Sequence, residues 1–266
     1  TNLNATFNAN KTFGDFEVHG FLRGEYYNSI VQSQALNTNG GLLARNKYFI
    51  GNSVNTPSYS GTISGEKRML SVAAQIGASW KDQIYLDITG RNDWSSALVY
   101  SDGHGTYSYF YPSISGSWLI TNTFREQLPE WISFMKLRGS WAQVGNDTEP
   151  YVLNTAYNLL TGTVNGNRVS GTELSSKVYS SELKPERKNS WEIGLDWRFL
   201  KNRIGLDLTY YKENTTDQIM DIDVPSVSGI TKQKVNAGNI QNSGFEIALN
   251  TTPIETEDWT WDLNFT

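Results

Sequence analysis

Apolar and polar residues alternate with a period of two along most of this chain, and helical periodicity is almost absent. The alternation is sharpest between Ser190 and Glu213. Trp191, Ile193, Leu195, Trp197 and Phe199 interleave with Glu192, Gly194, Asp196 and Arg198. A Lys201-Asn202 pair turns the chain, and Ile204, Leu206, Leu208 and Tyr210 then interleave with Arg203, Gly205, Asp207 and Thr209. Successive side chains of a strand point to opposite faces, so this segment is a hairpin with one apolar and one polar face. The pattern recurs from Met69 to Asp93 around Lys81-Asp82. It recurs again from Phe245, Ile247 and Leu249 into Trp259, Trp261, Leu263 and Phe265, with Glu246, Asn250, Asp262 and Asn264 on the other face. Less regular strands fit at 3–9, 16–27, 110–120 and 134–144.

The connections between these strands are alternately short and long. Short ones lie near 10–15, 81–82, 121–133, 201–202 and 253–258. Long ones, rich in Gly, Asn, Ser, Thr and Tyr, lie near 28–68, 93–109, 145–188 and 214–242. Soluble domains rarely hold several structureless loops of about 20 residues, whereas an outer-membrane barrel has short turns on one side and long loops on the other. The expected fold is all-β, an antiparallel transmembrane β-barrel with about ten strands present. Residues 1–266 are read as one partial barrel domain and as an excerpt of a longer chain.

Hydropathy does not oppose this reading. The mean of -0.46, with no run of about 18 apolar residues, excludes a transmembrane helix but not a barrel that hides its lipid face at every second position. With 13% aromatic residues the chain is not disordered. A net charge of -5 argues against nucleic acid as a partner, because a phosphate-binding surface needs clustered Lys and Arg. The absence of cysteine removes disulfides, thiolate metal sites and a cysteine nucleophile.

The aromatic residues fall in two groups. Trp80, Trp118, Trp197, Phe199, Trp259 and Trp261 lie close to the short turns. Tyr26, Tyr27, Trp94, Phe110, Trp141, Trp191, Tyr210 and Tyr211 lie toward the long-loop ends. This predicts two girdles at the membrane interfaces; the competing arrangement is a soluble sandwich with these rings as its core. On the barrel assignment, Glu192, Asp196, Arg198, Arg203, Asp207 and Glu246 face the lumen in compensating charge ladders. An arginine is then excluded at Leu206, in lipid, and tolerated at Thr209.

Four segments resemble the SusC/RagA type of TonB-dependent outer-membrane transporter. Lys136-Leu137-Arg138-Gly139-Ser140, running on to Gly145-Asn146, is similar to that family's KLRxSxxxxGN strand. Leu183-Lys184-Pro185-Glu186-Arg187 with Ser190 to Leu195 resembles its LKPE block, and Gly238 to Glu246 resembles its GxixNxGxE block. Asp87 to Ser95 is similar to its strand ending in Arg, Asp and a Ser pair, with Trp94 standing where a small residue is usual. The blocks occur in the family's order and cover 69–266, whereas 1–68 carry no strong motif. The resemblance implies a barrel of about 22 strands occluded by a plug. It also implies a SusD-like surface lipoprotein as a lid, coupling to the TonB complex, and an oligosaccharide or peptide as cargo.

Catalytic constellations are not found. His19 and His104 belong to no nucleophile arrangement, and there is no GxSxG, HExxH, P-loop or dinucleotide fingerprint. Glu192 and Asp196 would stand about 13 Å apart on one strand face, beyond the usual glycosidase separation. Asp221-Ile222-Asp223 is a weak calcium pattern. No enzyme activity, cofactor or metal is therefore expected. Trp94, Tyr100, Tyr107, Tyr109 and Tyr111 form an aromatic loop stretch that either stacks on cargo or packs loop against loop or against a partner. The function expected is TonB-dependent import of an oligosaccharide or peptide across the bacterial outer membrane. The alternatives are a β-rich surface carbohydrate-binding protein and an adhesin without energised transport.

Overall fold

The computed structural model describes residues 1–153 and 157–266. Its strands are β1 (Asn2–Phe13), β2 (Phe16–Leu42), β3 (Ser53–Trp80), β4 (Ile84–Ser95), β5 (Ser108–Leu119), β6 (Ile132–Asn146), β7 (Tyr157–Val164), β8 (Asn167–Leu174), β9 (Lys177–Tyr179), β10 (Glu186–Phe199), β11 (Ile204–Asp223), β12 (Lys232–Glu255) and β13 (Thr260–Phe265). β1 to β6 and β10 to β13 pair in chain order as one antiparallel meander, open between β1 and β13. β7 and β8 form a separate hairpin, and β9 adds in parallel to the start of β12.

Nearest-neighbour antiparallel order follows from the tight turns. Lys81 and Asp82 both adopt positive φ, 53° and 52°, the backbone that lets a tight connection follow the twist of its strands. The β5–β6 connection instead carries the short helix α1 (Ile120–Thr123). Pro253 falls where the β12–β13 register shifts between Thr251 and Ile254, a position that needs no ladder N–H.

Register divides the meander into two faces. Trp197 pairs with Met135 of β6 and with Leu206 of β11, and Leu206 pairs in turn with Leu249 of β12. The intervening rungs carry Arg138, Glu192, Asp207 and Glu246. The apolar face is bare: Phe7 is 71% exposed, Ile76 68%, Ile193 61% and Phe245 78%. No second large sheet among the described residues covers it, so the sandwich arrangement fails. An apolar surface this wide suits hydrocarbon, not water.

Aromatic residues bound that face. Trp80, Trp118, Trp197, Phe199 and Trp261 mark the short-turn side, and Tyr26, Trp94, Phe110, Trp141, Trp191 and Tyr210 the other. Beyond Trp191 the outward positions turn polar, with Asn189 and Arg187 on β10 and Lys212 and Ser243 on neighbouring strands. From Trp191 to Phe199 is about 26 Å of strand, or about 20 Å after a barrel strand's usual tilt, close to the apolar band of an outer-membrane barrel. Two expected girdle members are corrected. Tyr27 and Tyr211 occupy the opposite parity to Tyr26 and Tyr210 and therefore face inward.

The long connections also require correction. Much of 28–68 is strand, because β2 and β3 stay paired from Ser29↔Lys67 to Asn37↔Ser58 and leave only 43–52 as connection. The stretch 214–242 likewise shrinks to 224–231. Outside the membrane both faces meet water, so the apolar alternation stops while the backbone ladder continues. The connection 145–188, whose residues 154–156 lie outside the described ones, contains β7 to β9. Asn165 and Gly166, with φ of 50° and 81°, close the β7–β8 hairpin. Such a pair is a strong hairpin signal.

The buried apolar core lies in these connections. Tyr100, Leu153 and Leu183 pack together with Tyr179 and Ile219 against them. The barrel wall contributes an ordered surface, and the loops contribute the interior.

This geometry moves the membrane midplane away from Leu206, which pairs with girdle residue Trp197, to the rung of Leu195, Leu208 and Ile247. In the complete protein, Ile247→Arg is expected to cost about 2–4 kcal/mol. It should also cut the folded, heat-modifiable fraction in outer membranes. Ala248→Arg, on the inward face beside Asp207, should assemble normally; equal loss from both variants would refute the face assignment.

Candidate functional site

The inner wall is built from charges that reach across intervening strands, and small residues make the reach possible. Arg138 on β6, Gly194 on β10 and Thr209 on β11 share one rung. A Cβ at Gly194 would stand 2.5 Å from Arg138 Nε, so only glycine lets the guanidinium lie flat across β10. Arg138 then donates to both carboxylate oxygens of Asp207 at 2.9 and 3.0 Å and to Thr209 Oγ1 at 2.6 Å, and Glu192 lies 3.6 Å from its Nε. The same device recurs at His19, Gly77 and Asp87 on β2, β3 and β4. There Gly77 leaves room for His19 Nε2 and Asp87 Oδ1 to meet at 3.1 Å, while Gln75 donates to that oxygen at 2.9 Å. Further toward the loops on the same strands, Arg91 bridges Asp93 at 2.7 Å, Ser71 at 2.9 Å and Glu25 at 3.5 Å.

These contacts show where the residues expected to line the lumen lie on the polar face. Glu192 and Asp207 share Arg138, and Asp196 pairs with Arg198 at 3.0 Å while that guanidinium covers Phe134. Glu246 lies on the inward rung beside Thr209. Arg203 stands at the β10–β11 turn, 3.6 Å from Glu255. The sequence reading overlooked Arg138, Arg91, Glu25, His19 and Asp87. Strand parity alone marks them, since each holds the position opposite to the outward residues of its strand.

Thr209 corrects a second expectation. It is 7% exposed and already holds Arg138, so an arginine there would set two guanidinium groups on one rung.

At the long-loop end the segments that carry the family resemblance converge. Asp147, just after Asn146, is held by Lys67 and Ser95. The Lys184 N–H donates to Asn236 Oδ1 at 2.7 Å, and Asn236 Nδ2 donates to the carbonyls of Lys184 and Asp217, both at 2.8 Å. Glu186 accepts from the Ile219 N–H at 2.9 Å. Asp217 and Gly238 stand opposite each other with φ of 56° and 86°, which kinks the β11–β12 pair inside this cluster. Leu183 is fully buried beside Tyr100.

The five loop aromatics do not form one group. Trp94 faces outward beside Leu70 and Tyr26. Tyr100 is 8% exposed and packs loop against loop, donating to the Ser180 carbonyl at 2.6 Å and accepting from the Leu183 N–H at 2.9 Å. Tyr107 is exposed. Tyr109 and Tyr111 face inward as an edge-to-face pair with ring centroids 5.1 Å apart.

The Asp221 pattern also resolves differently. Hydrogen bonding from Lys177 at 2.6 Å, with Lys234 at 3.3 Å, holds its carboxyl below the usual range, and Asp223 faces Lys232. The acids there are matched by lysines, which leaves no excess charge for calcium. Among the described residues no group of three or more His, Cys, Asp and Glu is placed to hold a metal.

Comparison with known proteins gives a consistent picture. The family model described as TonB dependent receptor-like, beta-barrel matches residues 1–266. TonB-dependent receptor P26 of Formosa agariphila is 32% identical over 207 residues, covering 77% of this chain and 20% of the relative. TonB-dependent receptor SusC of Bacteroides thetaiotaomicron is 28% identical over 206 residues, covering 74% and 20%. Among solved structures, the RagAB peptide transporter superposes with a TM-score of 0.82 at 21% identity over 99% of this chain and 29% of that one, a likeness of fold. The chain spans about a fifth to a quarter of the curated relatives' length.

The glycine device is directly testable in the complete protein. Gly194→Val should displace Arg138 from Asp207 and lower the temperature at which the folded band is lost on electrophoresis, at about 1–3 kcal/mol for a forced overpacking. Gly139→Ala is the control, because its nearest neighbouring atom would be 3.8 Å away. Matching losses in the two would remove the bridging role.

Proposed function

This chain belongs to the TonB dependent receptor-like β-barrel family of the bacterial outer membrane, and we propose that it forms part of the wall and outer mouth of a TonB-dependent importer for an oligosaccharide or peptide. The observation that carries this reading is the inner wall. It is hydrophilic along its whole height, its charges are compensated by Arg138, Arg91 and Arg198, and a loop cluster with its own buried core stands at one end. Such a wall solvates a polar cargo without trapping it at a single uncompensated charge. The reading is supported further by SusC and by the RagAB peptide transporter as relatives in sequence and fold.

In this reading Tyr107, Tyr109 and Tyr111 meet the cargo, their rings stacking on sugar faces or covering peptide side chains. Tyr100 acts in the cap instead, and Trp94 at the lipid boundary. Glu192, Asp196, Arg198, Arg203, Asp207 and Glu246 line the path and perform no covalent chemistry. A SusD-like surface lipoprotein closes the mouth, and the TonB complex supplies energy through a plug.

Two experiments test this. An epitope inserted at Asn165 in the complete protein should be labelled on intact cells, and one between Lys201 and Asn202 only after the outer membrane is opened; surface labelling of the second would invert the topology. The tagged protein, extracted from native outer membrane in mild detergent, should co-purify stoichiometrically with a SusD-like lipoprotein. Cells producing it should accumulate labelled oligosaccharide or peptide only when TonB is present. Recovery without detergent, or uptake independent of TonB, would overturn the importer.

A further inference from the structure

The connection between β4 and β5 is fastened to the segment before β10 by one histidine whose two ring nitrogens both face acceptors. His104 stacks on Tyr100 with ring centroids 4.2 Å apart and planes 3° from parallel. Its Nδ1 meets Asp102 Oδ1, and its Nε2 meets the Ser181 carbonyl oxygen at 3.3 Å. A carboxylate and a peptide carbonyl have no proton to give, whereas a neutral imidazole has a single N–H. One of the two contacts would then set a lone pair against an acceptor. Only the imidazolium, with two N–H donors, satisfies both, and its charge also favours the face of the Tyr100 ring.

The position of this contact gives it leverage. The backbone carbonyl of His104 accepts from the Tyr100 N–H at 2.8 Å, and the Tyr100 carbonyl accepts from the Gly103 N–H at 2.9 Å, which closes a tight turn around the ring pair. Tyr100 in turn holds Ser180 and Leu183 through its hydroxyl. His104 therefore ties down the same segment that Tyr100 anchors, at Ser181 between Ser180 and Leu183.

We propose that His104 is a proton-operated latch, closing the 96–107 connection onto the 180–184 segment when charged and letting it loosen when neutral. The ionisable groups whose charge reaches the ring are Asp102 from its own loop and Glu182 from the opposing segment, both acidic. Hydrogen bonding to Asp102 comes first, then the Ser181 carbonyl; together they raise the His104 pKa above its ordinary value of 6.5, against some opposing desolvation. The His104 backbone N–H, and then its ring, lower that of Asp102. A raised histidine pKa means that the stabilisation is fully present below about 6.5 and is lost as pH climbs through the higher folded-state value. Asp102 stays ionised throughout that window, so the switch belongs to the imidazole.

The test is hydrogen exchange with mass spectrometry on the complete protein in detergent, at about pH 5.5 and about pH 8.5, corrected for the intrinsic exchange rate. Peptides covering 96–107 and 180–185 should exchange severalfold more slowly at the lower pH. Peptides from 204–216 should not change. His104→Gln should abolish the difference and exchange at both pH values as the unaltered protein does at the higher one. Wild-type protection independent of pH, or a difference that survives in His104→Gln, would overturn the latch. Asp102→Asn provides an independent check: it should lower the pH midpoint of protection, and an unmoved midpoint would equally overturn the proposal.

Discussion

A backbone that crosses hydrocarbon must satisfy every N–H and C=O within the protein, and this requirement underlies the whole arrangement. Extended segments satisfy it by pairing edge to edge, and pairing in chain order is the simplest topology for strands joined by tight turns. Once the ladder is fixed, the pleat assigns each side chain to lipid or lumen with no freedom left. The apolar face, the charge ladders and both aromatic girdles are consequences of that one assignment. A single-residue slip would exchange them all, as Tyr26 and Tyr27 illustrate by facing opposite ways from adjacent positions.

Charges on the inner wall meet a second constraint, since a strand rung places side chains from neighbouring strands about 5 Å apart. Long side chains reach two strands away only where the intervening residue leaves space. Gly77 and Gly194 provide it on opposite halves of the sheet, one for His19 and Asp87 and the other for Arg138 and Asp207. Most of these pairs are partly exposed on the wall, so each adds little to stability on its own. Their larger effect is to compensate charge along the passage and to fix the side chains that line it.

The loops show a different physics. Beyond the polar boundary at Asn189 and Lys212 there is no hydrocarbon, and order depends on burial and hydrogen bonding among the loops themselves. Leu183, Tyr100 and Leu153 supply the burial; Asn236, Glu186 and Asp147 supply the polar ties. The segments that resemble one transporter family run from the wall strands into this region, at Gly145-Asn146, Leu183 to Arg187 and Gly238 to Asn242. Their resemblance therefore reflects a shared way of joining the rim to the barrel wall as much as the strands themselves.

Period-two alternation determined the strands that cross the membrane, their faces and the Lys81-Asp82 turn, because lipid imposes a pattern on every second residue and tight turns demand particular backbone angles. That pattern also put Glu192, Asp196, Asp207 and Glu246 on one polar face, which the register of the strands reproduces. It was silent wherever both faces of a strand meet water, which is why the outer halves of β2, β3, β11 and β12 read as loops. It was silent too about partners: parity marks Arg138 as inward, but only the register of three strands places it across Gly194 on Asp207 and Thr209. The separation of Tyr100 from Tyr109 and Tyr111 was likewise decided in three dimensions, because what a loop ring touches depends on segments some 80 residues away in the chain.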